Sequence, residues 1–204
     1  MSNRRCFGVL MALFVVLFAV LAVAPREPAT WAMENAVAAL FVIGLWATRR
    51  WFRFSRSAYL MMFSFLALHE IGAHYTYSHV PYDQTVHTLF GFSPDAVMGW
   101  QRNQYDRFLH LLYGVLLVLP LSELCREWGG LRRPGAALFA FSLILASSLL
   151  YELIEWGAAV ALGDGSTAFL GTQGDPWDAQ KDMALATVGA LASLVIAALA
   201  RRIR

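Results

Sequence analysis

The stretch 135–156, GAALFAFSLILASSLLYELIEW, decides the fold class, because it is long and apolar enough to cross a bilayer as a helix. Its first 16 positions are apolar or small, whereas its last turns carry Glu152 and Glu155. An ionisable side chain inside the hydrocarbon region costs about 2.5–3.5 kcal/mol on insertion scales. The stretch therefore predicts a membrane-spanning helix with costly polar groups gathered near one end.

Five further stretches share this length and apolar character, so we predict an all-α, polytopic transmembrane bundle of six helices. It forms a single integral membrane domain over residues 1–204. The predicted spans are about 7–24, 31–48, 57–78, 105–124, 135–156 and 181–200. The first run follows two arginines as a signal peptide would, but it is span-length and Pro25 would directly follow the cut. We expect this helix to be retained.

The composition excludes the main soluble classes of protein. Of the 204 residues, 58% are hydrophobic and 15% are charged, against roughly 25% charged in an average soluble domain. An ordinary soluble enzyme, a disordered chain and a coiled coil are therefore excluded. The two cysteines, Cys6 and Cys125, cannot build a disulfide scaffold and lack zinc-ligand spacing. The lipid bilayer is the expected environment, and no nucleic-acid partner is expected.

The positions of the arginines predict the orientation. Twelve of the 16 Lys and Arg residues lie at the two chain ends and on the second and fourth connections. By the positive-inside rule these regions and both termini are cytoplasmic. The two long connections on the opposite side, 79–104 and 157–180, are rich in aromatic residues. We expect them to be ordered and to lie at the membrane interface.

Ionisable residues gather in four of the predicted spans, each time at the end that the topology places outside. The segments are LHEIGAHYTYSH, YDRFLHLLY, SSLLYELIEW and GTQGDPWDAQKDM. Each holds a pair spaced i,i+3 or i,i+4, which lies on one helix face. The pairs are Glu70 with His74, Asp106 with His110, Glu152 with Glu155, and Asp178 with Asp182. Because four independent segments agree in depth, we predict one polar pocket open to the outer face.

These eight residues are the predicted ligands of a divalent metal ion. Metal sites in helix bundles are built from such two-ligand faces, and imidazoles with carboxylates suit Zn, Fe or Mn. The segment HEIGAH is not an H-E-x-x-H motif, because histidines five apart diverge by about 140° on a helix. Glu70 and His74 form the better pair, and His69 supports a ligand or faces a neighbouring helix.

Two alternatives to a metal stay open. Arg107, Lys181 and the histidines can neutralise the acids in a salt-bridge or proton-linked network, although carboxylates outnumber these bases. An organic cation can also fill an acidic pocket. Glu34, near the start of the second helix, is expected to be an interfacial or capping carboxylate.

Four strings resemble the signature segments of the YjdF family of bacterial inner-membrane proteins, in the family's order. They are LHEIGAHYTYSHVPY, YDRFLHLLYG, SSLLYELIEW and FLGTQGDPWDAQKDM. The resemblance runs from about residue 30 to the C-terminus, and it implies a multi-pass inner-membrane protein without naming a reaction. The opening of the last helix, with Asp178 and Asp182, is very distantly similar to VanZ-like membrane proteins.

The leading functional hypothesis is a metal-dependent hydrolase of a lipid or lipid-linked headgroup, because a metal with an open position activates water at headgroup depth. The catalytic candidates are Glu70, Glu155 and Asp175. Expected supporting or substrate-binding residues are His69, Arg107, Tyr113, Gln173 and Lys181. The alternatives are a cation- or proton-coupled transporter and a non-catalytic binding or assembly factor; the oligomeric state stays open.

Overall fold

The computed structural model describes residues 2–162 and 171–202, and every regular element in these ranges is an α-helix. The helices are α1 Asn3–Leu21, α2 Pro28–Thr48, α3 Arg56–Tyr75, α4 Tyr82–Phe90, α5 Pro94–Met98, α6 Tyr105–Glu127, α7 Arg133–Leu162 and α8 Asp178–Arg202. The predicted all-α class is confirmed. Part of the predicted connection 157–180 lies outside the described residues.

Five of these helices are long and apolar enough to cross a membrane, namely α1, α2, α6, α7 and α8. The remaining long helix, α3, spans 20 residues but carries His69, Glu70 and His74 in its last turns, which lower its hydropathy. It packs against α1, α2 and α6. The multi-pass membrane class is thus confirmed, whereas the sixth span and the orientation stay predictions.

Helices α6 and α8 form the closest packed pair in the described structure, because glycines bring their backbones into contact. A Cβ atom on Gly114 would lie 2.0 Å from the Ala186 carbonyl oxygen, and one on Gly189 would lie 2.2 Å from the Leu111 carbonyl oxygen. Small residues permit such close approach between membrane helices. The two helices run parallel, and both begin at the polar end. Their crossing therefore determines which polar residues of α6 lie opposite which polar residues of α8.

The segment after α3 reverses sharply and returns a tyrosine to the bundle. Thr76 and Tyr77 have φ angles of 57° and 48°, a region that few non-glycine residues adopt. The Tyr77 N–H donates to the Gly72 carbonyl at 2.7 Å. A Cβ on Gly72 would lie 2.7 Å from the Tyr77 ring, so glycine makes room for it. This reversal places the Tyr77 hydroxyl among the buried polar groups of α3.

The connection between α3 and α6 is ordered, as its aromatic content predicts. Asp83 accepts hydrogen bonds from the Ser93 hydroxyl at 2.8 Å and from the Asp95 N–H at 2.9 Å, which fixes the start of α5. The apolar side chains of α4 and α5 are left exposed, with Phe90 71% and Val97 71% accessible. The position of this connection at the membrane interface stays a prediction.

Candidate metal centre

Four polar side chains meet where α6, α7 and α8 come together, and we call Asp106, His110, Glu152 and Asp182 the acidic cluster. The His110 Nε2 atom lies 3.6 Å from Asp106 Oδ1 and 3.8 Å from Glu152 Oε1. Asp106, His110 and Asp182 each offer one ligand atom, and the three atoms lie within 4.8 Å of one another. One imidazole thus faces three carboxylates across three helices.

The acidic cluster is buried at Asp182 and Glu152, half-buried at Asp106 and His110, and short of hydrogen-bond partners. Asp182 is 2% exposed and Glu152 is 9% exposed. Asp182 Oδ1 and Glu152 Oε1 accept no hydrogen bond within the described structure. Among residues 2–162 and 171–202, every Lys or Arg ion pair is made with a carboxylate outside the cluster. Because unpaired buried carboxylates are costly, this arrangement requires protons or a cation.

A second group of charges lies beside the cluster, at the N-terminal ends of α6 and α8. We call this group the ion-pair layer; it contains Arg102, Arg107, Asp175, Asp178 and Lys181. Asp178 lies 2.5 Å from Arg102 Nη1 and 3.2 Å from Arg107 Nη2. Asp175 pairs with Arg107 and, at 2.5 Å, with Lys181. In this layer the acids have the basic partners that the cluster lacks.

The electrostatics of Asp175 follow from these contacts. The hydrogen bond from Lys181 lowers the pKa of Asp175 most, the Trp177 N–H adds to the effect, and together with Arg107 they bring the pKa to about 2. Asp175 is therefore ionised throughout the physiological range. The predicted salt-bridge network exists here, one helical turn from carboxylates that it does not neutralise.

Two further predicted ligands lie on α3, away from the cluster. The His74 Nδ1 atom lies 2.8 Å from the Leu21 carbonyl oxygen at the end of α1. Glu70 is 1% exposed, and both of its carboxylate oxygens lack a hydrogen-bond partner within the described structure. His69 Nδ1 lies 2.5 Å from the Tyr77 hydroxyl. The α3 pair thus faces the bundle interior and α1 rather than Asp106 and Asp182.

The remaining predicted residues line or close the surroundings of the cluster. Glu155 and Tyr113 line a cavity beside it, and the Tyr113 hydroxyl lies 2.5 Å from Ser147 Oγ. The Gln173 side chain accepts a hydrogen bond from the Asn103 N–H and donates one to the Asn103 carbonyl, both at 3.0 Å, and so links the two connections. Of the eight predicted ligands, the structure brings Asp106, His110, Glu152 and Asp182 within reach of one another.

Glu34 is a functional candidate that the sequence reasoning misjudged. The interfacial or capping position expected for it is wrong, because Glu34 is 3% exposed and accepts a hydrogen bond from the Tyr151 hydroxyl. It lies beyond the first turn of α2, where a helix-capping carboxylate has no free N–H to accept. The position of Glu34 inside an apolar helix, past its first turn, is the sequence signal for a functional role. The sequence carries no such signal for Arg102 and Tyr77, because loop conformation determines where these two side chains lie.

The cavity beside the cluster has a volume of about 760 Å³ and runs between α2 and α7 over α3 and α6. Its polar end includes Glu34, Asp106, Tyr151 and Gly171. The Gly171 backbone has φ +60°, and a Cβ there would lie 3.3 Å from Asp106 Oδ2. The cluster is therefore open to this cavity on one side and closed by backbone on another.

The donor set fits a divalent transition metal. Ligand atoms around one tetrahedral zinc ion lie about 3.3–3.6 Å apart, given metal–ligand distances of roughly 2.0–2.2 Å. The ligand atoms of Asp106, His110 and Asp182 lie within 4.8 Å of one another, so side-chain rotations that draw them inward would be needed to hold one ion. The unpartnered oxygens of Asp182 and Glu152 supply the acceptors that such an ion requires. An imidazole with carboxylates suits Zn, Fe or Mn.

Comparison with known proteins places the chain among membrane proteins. Residues 7–203 match the family described as predicted membrane protein (DUF2238). The inner membrane protein YjdF of Escherichia coli (strain K12) is 35% identical over 179 residues, covering 86% of this chain and 81% of that protein. No solved structure matches the chain. The very distant similarity to VanZ-like proteins stays a prediction. The chain is a multi-pass inner-membrane protein and belongs to the DUF2238 family of predicted membrane proteins.

Proposed function

We propose that the acidic cluster binds one divalent transition metal ion, with Asp106, His110 and Asp182 as ligands. The observation that carries this proposal is the convergence of three ligand atoms within 4.8 Å, at a site where Asp182 is buried, Asp106 and His110 are half-buried and no Lys or Arg of the described residues forms an ion pair. Glu152, 3.8 Å from His110, is the fourth ligand or accepts a proton from a bound water. The contrast with the neighbouring ion-pair layer, where arginines pair with Asp175 and Asp178, supports this proposal.

We also propose that α3 is a sixth span, that both termini are cytoplasmic, and that the single domain opens its cluster to the outer face. The twelve basic residues on alternate connections support this orientation. The polar ends of α6 and α8 then lie at lipid headgroup depth.

The function that this site supports best is metal-dependent hydrolysis of a lipid or lipid-linked headgroup. A bound divalent ion with an open position lowers the pKa of a water ligand toward neutrality. Glu155 lines the cavity next to the cluster, one helical turn from Glu152, and is placed to accept a proton there. Arg102, Arg107 and Lys181 carry charges suited to a phosphate or other anionic headgroup.

A transporter receives less support from the lining of the cavity. Beyond Tyr113 and Ser147, the described lining is apolar or aromatic except for Thr48. A proton or metal path would need further ionisable groups toward the other end. A binding or assembly factor would use the same site without catalysis, so an activity assay distinguishes it from a hydrolase.

The two histidines of the predicted ligand set provide a matched test. Metal content of the detergent-purified protein is measured by mass spectrometry for wild type, His110→Ala and His74→Ala. We expect about one ion per chain in wild type and His74→Ala, because His74 faces the Leu21 carbonyl, and a loss of about tenfold or more in affinity for His110→Ala. Equal metal content in the two variants, or none in wild type, would refute the proposed site.

Hydrolysis is tested separately in the metal-loaded protein reconstituted with bacterial lipids. Phosphate or headgroup release is followed for wild type and Glu155→Gln. We expect Glu155→Gln to keep the ion and lose about a hundredfold or more in rate, as removal of a general base does. Metal binding without any release in wild type would favour the assembly factor instead.

A further inference from the structure

The cavity extends far beyond the polar groups of the proposed metal centre. On α6 its lining runs from Asp106 to Leu124, and the exposed Trp128, just after the helix, lines the far end together with Trp51. The distance along α6 from Asp106 to Trp128 is about 33 Å at 1.5 Å per residue. This equals the thickness of the hydrocarbon core of a bilayer, which is about 30 Å.

The chemistry of the lining changes once along this length. The end beside the cluster carries Glu34, His69, Tyr77 and Tyr151, and the Tyr151 hydroxyl bonds Glu34 across the gap between α7 and α2. The rest is built mainly from leucine, phenylalanine and other apolar side chains, with Thr48, Tyr113 and two serines among them. We call this mainly apolar part the groove. Such a surface offers water few hydrogen-bond partners, whereas an acyl chain of the bilayer can fill it through van der Waals contacts.

The basic residues nearest to the polar end lie in the ion-pair layer, whereas the described cavity lining carries acids and no Lys or Arg. The layer contains three basic residues and two carboxylates, which leaves one positive charge in excess within the layer. Arg102 Nη2 lies 3.5 Å from the carbonyl of Gly171, which lines the cavity. Lys181 pairs with Asp175 at 2.5 Å, yet 49% of its side chain is accessible. A phosphate beside the layer would share these cations with Asp175 and Asp178.

We propose that the groove holds one acyl chain of a phospholipid whose phosphate lies at the ion-pair layer, beside the acidic cluster. This names the substrate class of the centre and rests on the proposed function for its chemistry, although lipid binding itself does not require the ion. The apolar length matches one extended chain, the ion-pair layer beside the polar end supplies the basic groups, and the cluster lies where the headgroup bonds would be.

Gly44 provides a way to block the groove without disturbing the helices. It lines the groove on α2, and a Cβ there meets no atom within 4 Å, so Gly44→Leu fills open space. Gly8 on α1 is equally open and lies outside the lining, so Gly8→Leu is the matched control. Val37→Trp, two turns nearer the polar end on the same helix, is a second plug in case Gly44→Leu does not fold.

The probe is a photoactivatable phosphatidic acid, with a diazirine in one acyl chain, in phosphatidylcholine vesicles containing the full-length protein. Cross-linked peptides are mapped by mass spectrometry. We expect labelling of α2 and α7 in wild type and Gly8→Leu, and a reduction of about tenfold in Gly44→Leu or Val37→Trp. The diacylglycerol carrying the same diazirine should label these helices several-fold less.

Each outcome decides a separate part of the inference. Labelling unchanged by both plugs overturns the groove as the chain site, and equal labelling by diacylglycerol overturns the phosphate contact. Metal content is measured on the same samples and should be the same in all variants. Loss of labelling in Gly44→Leu without bound metal in wild type would retain the lipid site and refute the metal centre, so the two proposals fail independently.

Discussion

Asp178 and Asp182 lie one turn apart on α8, yet their surroundings are opposite. Asp178 has two arginines within 3.2 Å, whereas Asp182 faces His110 and Asp106 and leaves Oδ1 without a hydrogen-bond partner in the described structure. Both side chains are buried, at 3% and 2% exposure. Burial alone therefore does not decide whether this protein neutralises a carboxylate. The Lys and Arg residues that pair with acids at this end of the bundle all lie in the ion-pair layer, whereas the acidic cluster contains more carboxylates than basic groups.

The contrast has a simple origin in the chain. Arg102 and Arg107 precede or open α6, and Lys181 lies on an exposed face of α8, so their charges reach the helix ends. The close crossing of α6 and α8 begins one turn beyond the acidic cluster, at Gly114 and Ala186, and leaves no room there for a long basic side chain. The comparison therefore separates a set of charges that is already paired from the set that is proposed to bind an ion.

The largest effect is expected from separating α6 and α8, because this would disrupt both the acidic cluster and the ion-pair layer. Gly114→Leu places a side chain where a Cβ already lies 2.0 Å from the Ala186 carbonyl, so the helices cannot keep their spacing. We expect loss of the folded, monodisperse protein, measured by yield and size-exclusion profile in detergent. Gly135→Leu, which meets no atom within 4 Å, is the control. A wild-type profile for Gly114→Leu would contradict the close crossing.

Neutralising one acid of each group should have opposite consequences in the metal-free protein. Asp178→Asn leaves the half-buried Arg102 without its nearest acid and should lower the free energy of unfolding by about 3 kcal/mol. Asp182→Asn removes a buried charge among like charges and should leave stability unchanged or raise it. Thermal unfolding in detergent with a chelator compares them. Equal destabilisation by both variants would remove the distinction between the two groups.

Adding the metal should reverse any stability advantage that Asp182→Asn has over wild type in the metal-free protein. An ion present at a hundredfold its dissociation constant stabilises the folded state by about 2.7 kcal/mol. We expect the melting temperature of wild type and Asp175→Asn to rise on addition of the ion, and that of Asp182→Asn to stay constant. A rise of the same size in Asp182→Asn would mean that the ion binds elsewhere.

The smallest effect concerns acid pH and Asp175. Its folded pKa of about 2 lies below the ordinary value of 3.8, so its ion pairs stabilise the fold fully above pH 3.8. This contribution is lost as the pH falls toward 2. The difference in melting temperature between wild type and Asp175→Asn should therefore be constant from pH 7 to pH 5 and shrink below pH 4. A difference that shrinks already near pH 6 would refute the assignment.

Much of this arrangement follows from hydrophobic length and helical spacing. Five of the predicted spans coincide with helices that meet the length and hydropathy required to cross a membrane. The i,i+4 pair Asp106 and His110, together with Asp182, meets as its common depth predicts. Spacing fixes which residues share a face but not where that face points. The rotation of α3 toward α1 therefore separates His74 from the cluster, and only tertiary packing determines it.

The loops carry the features that were beyond sequence reasoning. Arg102 reaches Asp178 because the segments 102–104 and 171–174 bind one another through Asn103 and Gln173. Tyr77 reaches His69 through two consecutive residues at positive φ, a conformation with no strong signature outside glycine and asparagine. The acidic residues were visible in the sequence, but the partners that distinguish them were not.

The contact of backbones at Gly114 and Gly189 also determines how the protein responds to its bilayer. Two helices locked in this way move as one stiff body, because sliding past each other would drive Cα atoms into the facing carbonyls. On the other side of the groove, α2 and α7 are tied at the polar end by the bond between Tyr151 and Glu34. We therefore expect changes in membrane thickness or lateral tension to move the groove walls more than the α6–α8 pair. The relative positions of Asp106, His110 and Asp182, which this pair carries, should then vary little with the state of the bilayer.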